Sequence, residues 1–256
     1  MDMKEDKTPP MISRRTFLCQ AGIVGLSAFV SGTGASDFLR PPGACPDFLA
    51  RCIRCGKCGE ACPFDCIRFL DITGGILMHT PYIDPLKTPC YLCREVSEDG
   101  ESRPLGNFLR CGEACPTGAL ELIKNDSGSL SNLPDNLRIG VAELDNSLCV
   151  AWQFGFCGEC YFNCPMKDKA LLRNPPDRKG QGDGLFPYVD ASYCIGCGVC
   201  TFICPVREDM TEMEGRSPDG PGYFEERYGG FVKRLLNKRP VNSSLPAVTV
   251  RKRKQR

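Results

Sequence analysis

Sixteen of the 19 cysteines in this chain fall into four groups, and a proline follows the last cysteine of each group. The groups, here called motifs one to four, span residues 52–63, 90–116, 149–165 and 194–205. Their cysteines are Cys52, Cys55, Cys58, Cys62, Cys90, Cys93, Cys111, Cys115, Cys149, Cys157, Cys160, Cys164, Cys194, Cys197, Cys200 and Cys204. Thiolates are soft ligands that suit zinc, copper(I) and iron–sulfur clusters. Because a cubane takes one thiolate per iron, sixteen thiolates are enough for four [4Fe-4S] clusters.

Motifs one and four follow the spacing C-x2-C-x2-C-x3-C-P, which is typical of bacterial iron–sulfur proteins. Motifs two and three are longer, with 17 residues between Cys93 and Cys111 and seven between Cys149 and Cys157. Each still ends on C-x3-C-P, and the string CGEACP occurs in both motif one and motif two. We interpret all four as one kind of unit, with loops added to two of them.

Zinc and disulfides are the alternative uses of so many cysteines. Zinc ribbons usually separate two C-x2-C pairs, whereas motifs one and four place three cysteines within seven residues. A disulfide scaffold would suit an exported chain, but the cysteine count is odd and the clustering is tight. The spacing therefore favours iron–sulfur clusters.

Three cysteines lie outside the motifs. Cys19 falls in the N-terminal segment, Cys45 has no partner at ligand spacing, and Cys66 stands where a small apolar side chain would serve. We expect Cys45 and Cys66 not to be ligands, with a disulfide between them as the alternative in an oxidising compartment.

The N-terminus resembles a twin-arginine export signal. Arg14 and Arg15 precede Phe17 and Leu18, and an apolar stretch follows at 21–30. The stretch is shorter than the roughly 20 residues that a membrane span needs. Residues 1–35 are predicted to be this signal, with cleavage near Ala35, and a retained anchor is the alternative.

Short elements must position the motifs. Strand-like stretches (TPYID, IGVAELD and FPYVD) precede motifs two, three and four. Proline favours the first position of a helix, and a short helical or strand-like piece is expected after the fourth cysteine of each motif. The prediction is an α+β fold of two ferredoxin-like modules, each for two clusters, with small strands, short helices and many loops.

Three segments follow from this organisation: the signal 1–35, a four-cluster domain 36–215 and a C-terminal extension 216–256 with a basic tail. Segments 125–137 and 173–184 are predicted surface connections. The last 40 residues are interpreted as a disordered tail, the alternative being an arm that docks on an anionic membrane or partner.

Several function classes are disfavoured by composition. With 32 basic and 31 acidic residues, the charge gives no support for a nucleic-acid partner. His79 is the only histidine, which excludes a Rieske site and leaves no base for a nucleophilic triad, and there is no P-loop. The prediction is an electron carrier that has no catalytic residues and is not itself an enzyme.

The chain resembles the MauM/NapG-type ferredoxins. The resemblance rests on RPPGA near residue 40, CIRCGKCGEACP, PCYLC, CPTGALEL, GVAELDNSLC and the final CxxCGxC. It implies a periplasmic carrier with four [4Fe-4S] clusters, exported in the folded state by the twin-arginine translocase. Its electrons would come from a membrane-bound NapH-type ferredoxin quinol dehydrogenase and pass to a periplasmic reductase or an amine-oxidation system.

Two rival functions remain at this point. One is the permanently bound iron–sulfur subunit of a molybdopterin oxidoreductase, and the other is an adaptor stapled by zinc. A large partner that stays bound through purification would favour the enzyme subunit, whereas weak and transient association would favour a ferredoxin. Bound zinc in place of iron would favour the adaptor.

The same resemblance, extended to related four-cluster subunits, implies a nested pairing of motifs. In two-cluster ferredoxins the fourth cysteine of one motif binds the cluster of the other. Nested pairing joins motif one to four and motif two to three, so that Cys204 would join Cys52, Cys55 and Cys58. The tandem alternative brings Cys115 to those three cysteines instead. The two regular motifs being the outer pair favours nesting.

Overall fold

The computed structural model describes residues 38–96, 102–126, 137–175, 184–206 and 248–251. The predicted signal 1–35, with Arg14, Arg15 and Cys19, lies outside the described residues, as does the extension 216–256 apart from 248–251. Within the described ranges, no helix has the length and apolar character that crossing a bilayer requires.

Four short helices each carry the third cysteine of a motif. They are α2 (Lys57–Glu60), α3 (Arg110–Glu113), α5 (Glu159–Phe162) and α6 (Val199–Phe202), and two more, α1 (Phe48–Arg51) and α4 (Val150–Phe154), lie beside them. Each cysteine-bearing helix ends before the fourth cysteine. Of the two elements predicted after the Cys-Pro steps, the strand is confirmed after motifs one and three, at Ile67–Phe69 and Leu171–Leu172, and no described helix begins at these steps. Proline disfavours a helical residue before it and here marks the chain leaving the helix.

Four antiparallel strand pairs accompany the helices. They are β1 (Ile67–Phe69) with β2 (Pro81–Ile83), β3 (Arg94–Val96) with β4 (Ser102–Pro104), β5 (Val141–Leu144) with β8 (Val248–Arg251), and β6 (Leu171–Leu172) with β7 (Tyr188–Val189). The strands predicted before motifs two, three and four are present as β2, β5 and β7. A 3₁₀ segment, Ile72–Leu77, broken at Gly75, connects β1 to β2. These short helices and strands agree with the α+β prediction.

The two halves of the chain close in a similar way. In the first half, the stretch before motif one pairs with the stretch after motif two: Cys45 N donates to Ala119 O (3.1 Å) and Glu121 N to Gly43 O (2.7 Å). In the second half, β5 precedes motif three and pairs with β8, with Val141 opposite Arg251 and Leu144 opposite Val248. The interpretation of the last 40 residues as a disordered tail is thus wrong for residues 248–251, and the boundary at 215 leaves a strand of the second half outside the predicted domain.

The predicted surface connection 125–137 is buried at both ends. Asn125 is 5% exposed and its side-chain amide donates to Cys93 O (3.0 Å), while Leu137 is 2% exposed. Asn125 therefore holds the backbone of motif two in place. The prediction of a surface connection rested on polar residue types, which do not reveal this buried contact. The insertion in motif two forms the β3–β4 hairpin, whose residues 102–104 are exposed, in agreement with a surface loop.

The halves meet at the start of motif two. Cys90 N donates to Cys197 O (2.9 Å), so the backbone of motif two is hydrogen-bonded directly to that of motif four. Beside this bond, Gly198 has φ +87°, and a Cβ at Gly198 would lie 2.6 Å from Pro85 Cβ. Buried residues of both halves, including Phe48, Leu120 and Ile195, belong to one continuous hydrophobic core.

Candidate cluster-binding sites

Site A is a cavity in the first half, lined by the first three cysteines of motif one and the last cysteine of motif two. These are Cys52, Cys55, Cys58 and Cys115. Phe48 and Leu120, both buried, form part of its wall. Cys55 is exposed, so site A has an edge open to solvent.

Site B is the second cavity of the same half. Its wall contains the last cysteine of motif one and the first three of motif two, namely Cys62, Cys90, Cys93 and Cys111. Cys66 also lines it, so this cavity has five thiols. Leu92 and Leu109, both buried, complete its apolar lining.

The second half repeats the arrangement. Site C is a cavity lined by Cys164, Cys194, Cys197 and Cys200. Site D gathers Cys149, Cys157, Cys160 and Cys204. Burial raises the pKa of Cys149 and Cys157, and the nearby Cys204 raises both further, which places Cys204 beside them.

The motifs are therefore paired in tandem, and the nested pairing is wrong. Cys115 lies with Cys52, Cys55 and Cys58, where nesting required Cys204. The cause is the packing of helices: α2 contacts α3 and α5 contacts α6, so each motif faces its neighbour along the chain. The two insertions are not alike: the one in motif two includes the exposed strand β4, whereas the one in motif three forms α4, whose Val150 and Ala151 are buried. Neither prevents the helices of neighbouring motifs from packing together.

Backbone N–H groups point at sulfur atoms in three of the sites. Leu120 N donates to Cys115 Sγ (3.4 Å) in site A, and Arg110 N donates to Cys93 Sγ (3.5 Å) in site B. In site C, Met166 N donates to Cys164 Sγ and Ala142 N to Cys194 Sγ, each at 3.4 Å. Such donors stabilise the negative charge that a thiolate ligand carries.

Burial opposes that charge in a protein without metal. It raises the pKa of Cys58, Cys93, Cys149 and Cys164 to about 11 and that of Cys157 to about 12. A hydrogen bond from Cys66 has the opposite effect on Cys62 and, against burial, lowers its pKa to about 6. Metal ligands must be deprotonated, so most of these thiols release a proton when a metal binds.

The thiols suit a cluster in number, chemistry and surroundings. All eighteen cysteines of the described residues are free, so no bond joins Cys45 to Cys66 and the disulfide alternative is contradicted there. Across the same residues, no three His, Cys, Asp or Glu side chains are gathered closely enough to hold a single metal ion. In sites A, B and C the thiols instead surround an apolar cavity, as a four-iron group with one thiolate on each iron requires.

Cys66 lines site B although it lies outside the motif spacing, and that it is not a ligand of an intact site stays a prediction. The signal available was a fifth cysteine four positions after Cys62, in the string CPFDC, which no other motif repeats.

Comparisons with known proteins agree with this chemistry. Residues 49–68 and 186–208 each match a family model described as a 4Fe-4S binding domain. The chain is 34% identical over 219 residues to the methylamine utilization ferredoxin-type protein MauM of Methylorubrum extorquens, covering 79% of this chain and 88% of that protein. It is 32% identical over 182 residues to the ferredoxin-type protein NapG of Escherichia coli, covering 68% of this chain and 69% of that protein.

Proposed function

Because the chain belongs to the family of MauM and NapG ferredoxin-type proteins, we propose that it is an electron carrier holding four [4Fe-4S] clusters, one in each of sites A to D. Each half is then one ferredoxin-like module. The sixteen motif cysteines are the ligands, and the chain has no substrate site of its own.

The crossed fourth cysteine is the observation that carries this proposal. Cys115 lies with three cysteines of motif one, and Cys62 lies with three of motif two. Cys164 is placed in the same way among those of motif four. This exchange between paired motifs is the ligand pattern of two-cluster ferredoxins.

A bound cluster supplies one-electron chemistry, and the chain's residues set how readily an electron is held. Hydrogen bonds to sulfur, burial and net charge are the levers that tune such potentials. Leu120 N and Arg110 N provide such bonds in the first half, as do Met166 N and Ala142 N in the second. Apolar side chains such as Leu92 and Leu109 in site B limit the access of water to the ligands.

We propose that electrons pass through the four sites in the order A, B, C, D, because of the contacts between them. Sites A and B share motifs one and two, and sites C and D share motifs three and four. The link between the halves joins site B to site C, because Cys90 N donates to Cys197 O. Electrons would therefore enter and leave at sites A and D, and site A, with Cys55 exposed, is an end where a partner can approach closely.

We further propose the electron partners that the family resemblance implies. A membrane-bound NapH-type ferredoxin quinol dehydrogenase supplies electrons, and a periplasmic reductase or amine-oxidation system accepts them. The relatives' names support this setting, since one is a methylamine utilization protein. The Arg14-Arg15 pair supports export of the folded protein to the periplasm by the twin-arginine translocase. Permanently bound four-cluster subunits would have the nested pairing. The tandem pairing of this chain therefore gives no support to that alternative.

The test is the metal content and spectra of protein purified without oxygen. We expect about 16 irons per chain, no stoichiometric zinc, and the broad visible absorption and EPR signals of [4Fe-4S] clusters. A count near eight irons, or bound zinc in stoichiometric amount, would contradict four clusters. A large molybdopterin partner that stays bound through purification would favour the enzyme-subunit alternative.

A further inference from the structure

Site B has one thiol more than a four-iron cluster needs. Cys66 lines the cavity with Cys62, Cys90, Cys93 and Cys111, and it is 3% exposed. Its Sγ lies 3.4 Å from Cys62 Sγ, within sulfur hydrogen-bond distance. The position of Cys66 is fixed by the strand that follows it, since β1 pairs with β2 from Ile67 onward.

The other described sites lack such a thiol. At the position four residues after the last cysteine, motif two has Ala119 and motif three has Asp168, where motif one has Cys66. The contacts to Cys115 come from Leu120 N and the Thr117 hydroxyl, at 3.4 and 3.7 Å. Site A thus has four cysteines in the same pattern as site B but no fifth thiol, so a variant of site A can serve as the comparison for a variant of site B.

We propose that Cys66 is an auxiliary thiol of site B, donating a hydrogen bond to the Cys62 sulfur and replacing Cys62 as the fourth ligand when that residue is lost. The proposal rests on the proposed function, because it takes site B to hold a cluster. In the replacement, the Cys66 thiol releases its proton to solvent and its thiolate forms the bond to iron that Cys62 no longer makes. No oxidation or reduction is involved.

A simple packing role makes a different prediction. A buried cysteine often behaves as a small hydrophobic side chain, and alanine would then be a nearly neutral replacement. Packing explains the burial of Cys66, but it does not require its sulfur to lie within hydrogen-bond distance of the Cys62 sulfur. The two roles differ in whether Cys66 affects the cluster.

The first experiment compares Cys62→Ala with Cys115→Ala, since alanine cannot bind iron. We expect Cys62→Ala to keep about 16 irons per chain, whereas Cys115→Ala falls to about 12–15. The double variant Cys62→Ala/Cys66→Ala should lose iron as Cys115→Ala does. Iron analysis and EPR of the reduced proteins measure this.

The second experiment measures the potentials of Cys66→Ala in an otherwise intact site. Removing a donor to sulfur should make the midpoint potential of one cluster more negative and leave three unchanged. Cys45→Ala is the matched control, because Cys45 is also 3% exposed and lines none of the three cavities.

Either of two results would overturn the proposal: iron loss in Cys62→Ala equal to that in Cys115→Ala, or unchanged potentials in Cys66→Ala. If Cys62→Ala does not accumulate, the potentials of Cys66→Ala decide alone. Failure of the proposed function is a separate result, because it would show as missing iron in the unmodified protein.

Discussion

At the scale of single residues, the ligand thiols lie where a free thiolate would be unstable. Burial raises the pKa of Cys157 to about 12, and the neighbouring thiols of its site raise it as well. Iron supplies the positive charge that such a site lacks, so binding of the metal and loss of the proton are coupled. The side chains and the cluster therefore depend on one another for stability.

Replacing Cys197 by serine should damage one cluster only. Cys197 lines site C, and its backbone carbonyl, which accepts the hydrogen bond from Cys90, is retained in the variant. We expect loss or conversion of one cluster, a fall of about one to four irons, and little change in the other three. Iron analysis and EPR measure it, with Cys45→Ser as the control that keeps all its iron. Loss of all four clusters in a folded protein would show that the sites are not independent.

That the first three cysteines of a motif share one site could be predicted from the sequence, because short spacing within a motif is a local property. The pairing of the motifs could not, because it depends on which helices pack together. Cys115 and Cys204 are both followed by proline and both end a C-x3-C-P string, so nothing local distinguishes them. The place of Cys66 in site B could not be predicted for the same reason: only the fold brings it to the cavity of motif two.

At the scale of elements, the second half is completed by a strand that is distant in sequence. Strand β8 pairs with β5, and it also contacts helix α6. Ala142 N, within β5, donates to Cys194 Sγ, which connects this sheet to site C. In the first half the equivalent pairing comes directly after motif two, at Ala119–Glu121.

Deleting residues 248–256 should therefore make the second half lose its clusters. Without β8, β5 loses the strand it pairs with, and we expect iron to fall towards about eight per chain while sites A and B stay loaded. Deleting only 252–256 is the matched control, since it removes the basic end and keeps β8. Iron analysis of both proteins, with EPR, decides between them. Equal iron in both truncated proteins would mean that β8 is dispensable.

Gly198 is the element-level residue where the halves are most closely packed. Its φ of +87° disfavours any side chain, and a Cβ would also meet Pro85. Gly198→Ala should therefore cost more than Gly155→Ala, which has a similar φ of +80° but nothing within 4 Å. We expect a backbone cost of about 1–2 kcal/mol for both and a further 1–3 kcal/mol, roughly, for Gly198 alone.

Thermal unfolding at a fixed heating rate measures this difference, at about 2–4 °C per kcal/mol for a chain of this size. Both substitutions share the backbone strain, so only the contact with Pro85 separates them. Equal unfolding temperatures would argue against close packing between residues 85 and 198.

Strands and helices differed in how well the sequence indicated them. β2, β5 and β7 were predictable because a short strand-like stretch that ends on an aspartate stands just before each of motifs two, three and four. The proline of each motif does not locate the helix, because proline is found at the start of a helix and also just after its end. β8 was not predicted, because the basic residues that follow it indicated a solvated tail.

At the scale of the whole molecule, the two halves of the chain are connected at sites B and C. Cys90 N in site B donates to Cys197 O in site C, and Gly198 packs beside Pro85 next to this bond. In the proposed carrier, electrons therefore cross between the halves at this contact.

Export of the whole molecule should depend on Arg14 and Arg15. The double variant Arg14→Lys/Arg15→Lys keeps the positive charge but loses the planar guanidinium groups. We expect the loaded protein to accumulate in the cytoplasm, as measured by fractionation and immunoblotting. Lys4→Arg with Lys7→Arg, which adds guanidinium groups outside the pair, is the control and should be exported normally. An unchanged periplasmic amount of the double variant would show that the pair is incidental.

The late strand β8 also bears on the order in which the two halves can fold. The pairing that closes the first half is complete at Glu121, whereas that of the second half needs residues 248–251. Domains generally fold in the order of their synthesis. We therefore expect the first half to fold first, and the second half to fold only when a segment made more than 100 residues later has joined it.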